Sequence, residues 1–173
     1  MNLSVKRLVL AAVAAAVLCI GPAGAASAAE PAVWSPQQSM RQSGALEFRY
    51  YGGSPVTCQI KAEGAVSGGL FNAPFLTPSP CSNGKSIIFT LFQAGQKEGT
   101  KYSVIVGGSP YTTTDPWGGA WQQQQFSVPF TNGSGTKMST LTFSKTNVGA
   151  GGAITATGTL TATTLAGGLI TLK

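Results

Sequence analysis

The chain has no histidine, and of its 173 residues only 11 are basic and 5 acidic. Without histidine it lacks the commonest general base and metal ligand near neutral pH. Charged residues make up 9% against a usual share of about 25%, while the hydrophobic share is an ordinary 43%. That balance excludes both charge-driven disorder and a coiled coil. Long apolar runs are missing too: Leu8–Ile20 is the longest, short of the roughly 20 residues that cross a bilayer. Beyond Lys6 and Arg7, lysines and arginines are spaced singly, with no cluster to track a phosphate backbone, so nucleic acid is not an expected partner. No phosphate-cradling loop, nucleotide fingerprint or metal-ligand spacing occurs, and neither metal nor cofactor is expected. The length suits one domain with a substantial core.

Lys6 and Arg7 precede the apolar run, and small residues follow it, ending in Ala26-Ser27-Ala28. A positive start, a short apolar stretch and an A-x-A site predict a secretory signal peptide over 1–28, with Ala29 as the mature start. Cys19 leaves with it. Loss of Lys6 and Arg7 lowers the net charge from +6 to +4. Cys58 and Cys81 remain, an even number in an exported chain, and predict one disulfide. Such a crosslink is worth about 3 kcal/mol in the chain-entropy model. The mature chain is expected in the medium, on the cell surface or in a periplasm, with no membrane span. The Ala-rich leader suits a bacterium.

Residues 29–44 are poor in apolar residues, Trp34 excepted, and rich in Gln and Ser, and read as a flexible N-terminal arm. Beyond it, glycine interrupts every candidate helix and alternation with a period of two takes over. From Val56 to Glu63 each even position is apolar and each odd one polar, which predicts a half-buried strand with Cys58 facing the core. Leu46, Phe48 and Tyr50 form the strand before it, across a Gly52-Gly53-Ser54-Pro55 connection. Ile87 to Phe92 is apolar on nearly both faces and suits a central strand. Tyr102–Val106 and Phe126–Phe130 follow, with Pro129 confining the latter to an edge or a bulge. Leu141 and Phe143 share a face of the next strand. From Ile154 to Thr163 threonines alternate with small apolar residues, and Leu169–Leu172 closes the series. About eight short strands with Gly-rich turns predict an all-β domain over 45–173. The expected architecture is a single antiparallel β-sandwich, immunoglobulin-like or jelly-roll-like.

Chemistry is scarce in this pattern. Ser82-Asn83-Gly84-Lys85 has serine–lysine spacing, but it lies in a turn rather than opening a helix. Glu47 and Glu63 sit on polar strand faces beside Arg49 and Lys61, where ion pairing accounts for them. Glu98 and Asp115 fall in turns. The chain is therefore not expected to be an enzyme. Two features remain. Tyr111, Asp115, Trp117 and Trp121 form an aromatic loop whose rings and polar groups suit stacking on a sugar or a protein. The Thr155–Thr163 ladder and Gln122–Gln125 give an uncharged surface whose strand edges suit pairing with other chains.

The strand ending Val56-Thr57-Cys58, a Gly-rich stretch and then Cys81 resembles the small secreted bacterial proteins described as alkane-oxidation activators. The resemblance covers the segment around the two cysteines, and no functional residue follows from it. The residues point to a non-enzymatic surface or matrix protein that acts by binding or self-assembly, with itself or another extracellular macromolecule, protein or polysaccharide, as partner. The alternative is a carbohydrate-binding module using Tyr111, Trp117 and Trp121. A secreted hydrolase with a carboxylate pair comes third.

Overall fold

The computed structural model describes residues 28–173 except 74–77, 90, 109 and 113–123, and for several strand residues, Tyr111 among them, the backbone alone. Fourteen strands and no α-helix are found among the described residues. In chain order they begin with β1 (Glu30–Pro31), β2 (Trp34–Ser35), β3 (Met40–Tyr50), β4 (Val56–Ser67) and β5 (Leu70–Ala73). Next come β6 (Ser79–Pro80), β7 (Ser86–Phe89), β8 (Leu91–Glu98), β9 (Lys101–Gly108) and β10 (Pro110–Thr112). The last are β11 (Gln124–Thr131), β12 (Ser139–Asn147), β13 (Ile154–Thr164) and β14 (Thr171–Leu172).

Eight of them form one antiparallel ring. The order is β8-β5-β4-β3-β13-β12-β11-β9, and β9 pairs back onto β8 from Phe92↔Gly107 to Glu98↔Lys101. The expected sandwich is thus replaced by a closed barrel. Alternation specifies only which side chains point inward, and it reads the same in a sandwich and a barrel. Closure needs strands that bend, and β3 and β13 supply the bend where Gly44 and Gly158 lie close to the partner backbone. A Cβ on Gly158, at φ +141°, would sit 2.5 Å from the Ala45 carbonyl oxygen, and one on Gly44 would overlap that of Thr159.

The predicted alternation is otherwise present. Leu46 and Phe48 of β3, Cys58, Ile60 and Ala62 of β4, and Leu141 and Phe143 of β12 are all buried inside. Ala156, Leu160 and Ala162 of β13 join them, with threonines on the other face of that strand. An interior filled by side chains is the expected state of an eight-stranded barrel. The segment Ile87–Phe92 departs from expectation. It is divided between β7 and β8, and Phe92 is half exposed rather than central. β11 is not an edge of the sheet either, although its ladder to β12 holds only Phe130 and Thr131 and stops beside Pro129, which has no N–H to extend it.

Two additions complete the molecule. β7 and β10 extend the β8–β9 hairpin, and β7 pairs with β10 on one side and β6 on the other in a small sheet. The disulfide between Cys58 and Cys81, Cα atoms 4.0 Å apart, fastens this extension to β4. Reciprocal bonds from Thr57 reinforce it: its carbonyl accepts from the Ser82 N–H and its N–H donates to the Ser82 hydroxyl.

The other addition uses both ends of the described chain. The segment expected as a flexible arm contributes β1, β2 and the first five residues of β3. β1 pairs with β8, and β2 pairs with β14. Trp34 is fully buried edge-on to Phe130, its indole N–H donating to the Gly69 carbonyl at 3.0 Å. Asn132 clamps the other side, its amide exchanging two 2.7 Å bonds with the Leu172 backbone. Ala32, Trp34, Ile170 and Leu172 therefore plug one end of the barrel. A tryptophan with this much apolar surface is held by burial, and the polar residues around it satisfy the backbone.

Candidate functional site: a neutral wall and its groove

The barrel's outer surface divides by charge. On β3 and β4 the outward positions carry Arg41, Glu47, Arg49, Lys61 and Glu63. Arg41 lies opposite Glu63 in the ladder and bonds it at 2.5 Å, while Lys61 approaches the same oxygen at 3.2 Å. These two cations hold the Glu63 carboxyl below its ordinary range, the Arg41 hydrogen bond having the larger effect. Glu47 pairs with Arg49 at 2.9 Å. The expected ion pairing accounts for both acids, with Arg41 as a cross-strand partner that spacing along one strand did not reveal.

Across β11, β12 and β13 the outward strand positions are uncharged up to the bulge at Lys145. Gln125, Ser127, Pro129 and Thr131 face out from β11, and Thr140 and Thr142 from β12. From β13 come Thr155, Thr157, Thr159, Thr161 and Thr163. Registers align them: Thr131 lies opposite Thr140, Thr140 opposite Thr161, and Thr161 opposite Ser43 of β3. A row of hydroxyls therefore runs across four strands. The ladder expected to offer a free edge does not, because β13 is paired with β12 on one side and β3 on the other. Its outward hydroxyls, apart from that of Thr157, which accepts from the Lys145 N–H, are available to a partner; its backbone is not.

At one end of this wall the β8–β9 hairpin and the end of β11 enclose a groove of about 710 Å³. Glu98 of β8, Thr100 of the turn, Lys101 and Ser103 of β9, and Ser127, Pro129 and Thr131 of β11 line its outward side. Tyr102 and Phe130, which also border it, occupy the alternate positions that face the core. Thr100, Lys101, Ser127 and Thr131 are exposed. Among the described residues no hydrogen bond or ion pair holds the side-chain oxygens of Thr100, Ser103, Ser127 and Thr131, nor the charged ends of Glu98 and Lys101. Asn132, by contrast, is committed to Leu172. The Tyr102 ring is steadied by the Lys97 ammonium, 5.8 Å from its centroid.

Of the site residues expected from sequence, Tyr111 lies in β10 opposite Ile88, while Asp115, Trp117 and Trp121 lie outside the described residues. The flanking pair Gly108 and Gln124 is at the far end of β9 and β11 from the groove, roughly 20 Å away at about 3.3 Å per residue. Ser82 and Lys85 occur in the expected turn, where the Cys81 N–H donates to the Lys85 carbonyl and the Lys85 N–H to the Asn83 side chain. Sequence reasoning missed the groove. Its signal was present as the alternating Ser127, Pro129 and Thr131, yet only the pairing of β11 with β9 shows that Lys101 and Ser103 share it. The chain matches no family model, no curated protein and no solved structure.

Proposed function

We propose that this is an exported, non-enzymatic protein that binds another extracellular macromolecule through the neutral side of its barrel. The observation that carries this reading is the combination of a closed ring without free barrel edges and a continuous uncharged wall of hydroxyls on β11–β13. Closure favours recognition by side chains over strand addition, since strand addition needs unpaired backbone. The ion-paired state of Glu47 and Glu63 supports a binding role over hydrolysis by a carboxylate pair. A leader peptide and the disulfide are consistent with export. The outward positions of β3, β4 and β11–β13 are mostly polar where a membrane barrel is apolar, which favours a barrel bathed in water.

The test is made in the organism that produces the chain. The wild-type protein and a Gln125→Lys/Thr159→Lys variant, altered at two exposed wall positions outside the groove, are compared for partition between washed cells and medium. Retention of the wild type with release of the folded variant supports the wall as the binding surface. Equal partition refutes it. Light scattering over a hundredfold concentration range gives a second check: growth into fibres would favour self-assembly instead.

A further inference from the structure

We infer that the groove between the β8–β9 hairpin and the end of β11 is a binding site for a neutral saccharide chain. The inference deepens the binding role proposed above and rests on it. Its volume, about 710 Å³, falls within the roughly 300–1,000 Å³ of small-ligand sites. The lining chemistry selects the ligand class. Thr100, Ser103, Ser127 and Thr131 offer hydroxyls that both donate and accept, and none is satisfied within the described structure. Glu98 adds an acceptor and Lys101 three donors, unpaired by any side chain among the described residues and of opposite sign, so these two leave the site without net charge. Pro129 supplies apolar surface beside these groups.

A sugar ring matches each feature, because its hydroxyls donate and accept while its C–H face packs on apolar surface. A polyanion would meet Glu98 as well as Lys101. An extended peptide depends on main-chain pairing, which β9 and β11 already give to each other along Gln124–Phe130. A lipid tail would strand the four hydroxyls. The groove also opens onto the hydroxyl row: Thr131 belongs to both and leads to Thr140 and Thr161. A polymer seated in the groove therefore has a neutral path along the barrel wall.

The experiment is an amide NMR titration of the ¹⁵N-labelled, exported protein with cellohexaose, chitohexaose, laminarihexaose and mannohexaose, with hexagalacturonate as the charged comparison. The expected result is saturable shifts at Thr100, Ser103, Ser127 and Thr131 with at least one neutral sugar and none with hexagalacturonate. Ser127→Trp, a substitution at an exposed position that fills the groove, abolishes these shifts. Ser103→Ala weakens binding roughly fivefold, the loss of one hydroxyl contact. Absence of saturable shifts with all four sugars, shifts confined to other residues, or shifts that survive Ser127→Trp would overturn the assignment. Tighter binding of hexagalacturonate would do so as well. A negative titration beside wall-dependent cell retention removes the groove and leaves the binding role standing, whereas failure of both experiments removes both.

Discussion

Gln42 of β3 and Gln93 of β8 are both buried inside the barrel, and their amides exchange two hydrogen bonds of 2.6 and 2.8 Å. The strands that carry them are not neighbours in the ring, so the pair bridges the interior. Replacing Gln42 alone by Leu keeps the volume nearly unchanged but strands one donor and one acceptor of Gln93. Each stranded group costs about 1–3 kcal/mol. Burial of the leucine returns about 1.5–3 kcal/mol. The single variant is therefore expected to lose about 1–3 kcal/mol, and Gln93→Leu the same. The double variant loses only the modest net worth of two neutral hydrogen bonds, about 1–3 kcal/mol together, and gains two buried leucines. It is expected to equal or exceed the wild type in stability. Urea unfolding of the four proteins, with the disulfide intact, closes the cycle and should yield a coupling energy of at least about 2 kcal/mol. Melting temperatures should follow, the singles falling by about 2–12 °C at roughly 2–4 °C per kcal/mol. Single variants within about 0.5 kcal/mol of wild type, with an additive double, would refute the claim that these amides depend on each other.

Three further outcomes are expected. Trp34→Ala should destabilise the protein by about 3–5 kcal/mol, because it empties the plug and abandons the Gly69 carbonyl; denaturant unfolding reads the loss, and a change below about 1 kcal/mol would show that the terminal segments only rest on the barrel. Replacing Cys58 and Cys81 by Ser should cost about 3 kcal/mol, and hydrogen exchange should rise first in Ser79–Phe89, the segment that the bridge fastens to β4; uniform exchange across the barrel would contradict that local role. Glu63 has a folded-state pKa below its unfolded value, so its contribution is present above the unfolded pKa and is lost as pH falls through the folded one. Glu63→Gln should accordingly flatten the stability profile below about pH 4.3, by a small amount at this exposed site, and an unchanged acid limb would discount the Arg41 and Lys61 pairing.

The aromatic loop and the groove illustrate different limits of sequence reading. Trp117 and Trp121 are conspicuous because tryptophan is rare and costly to leave exposed. Ser127 and Lys101 are not, because small polar residues on a strand have no individual signature. Trp34 shows the same limit from the other side: its segment is rich in Gln and Ser, and its apolar partners Phe130, Ile170 and Leu172 come from the opposite half of the chain.

The order of residues by itself determined that this is an all-β protein with Cys58 inward, a Thr face on β13 and ion pairs around Glu47 and Glu63. Those features depend on period-two alternation and on neighbours a few residues apart. Tertiary structure alone decided that the sheet closes, that both ends of the described chain plug it, that Gln42 meets Gln93, and that a neutral wall continues into a groove. Each of these depends on register between strands distant in sequence. Register is set by the summed packing and hydrogen bonding of the whole ring, so no single segment carries it.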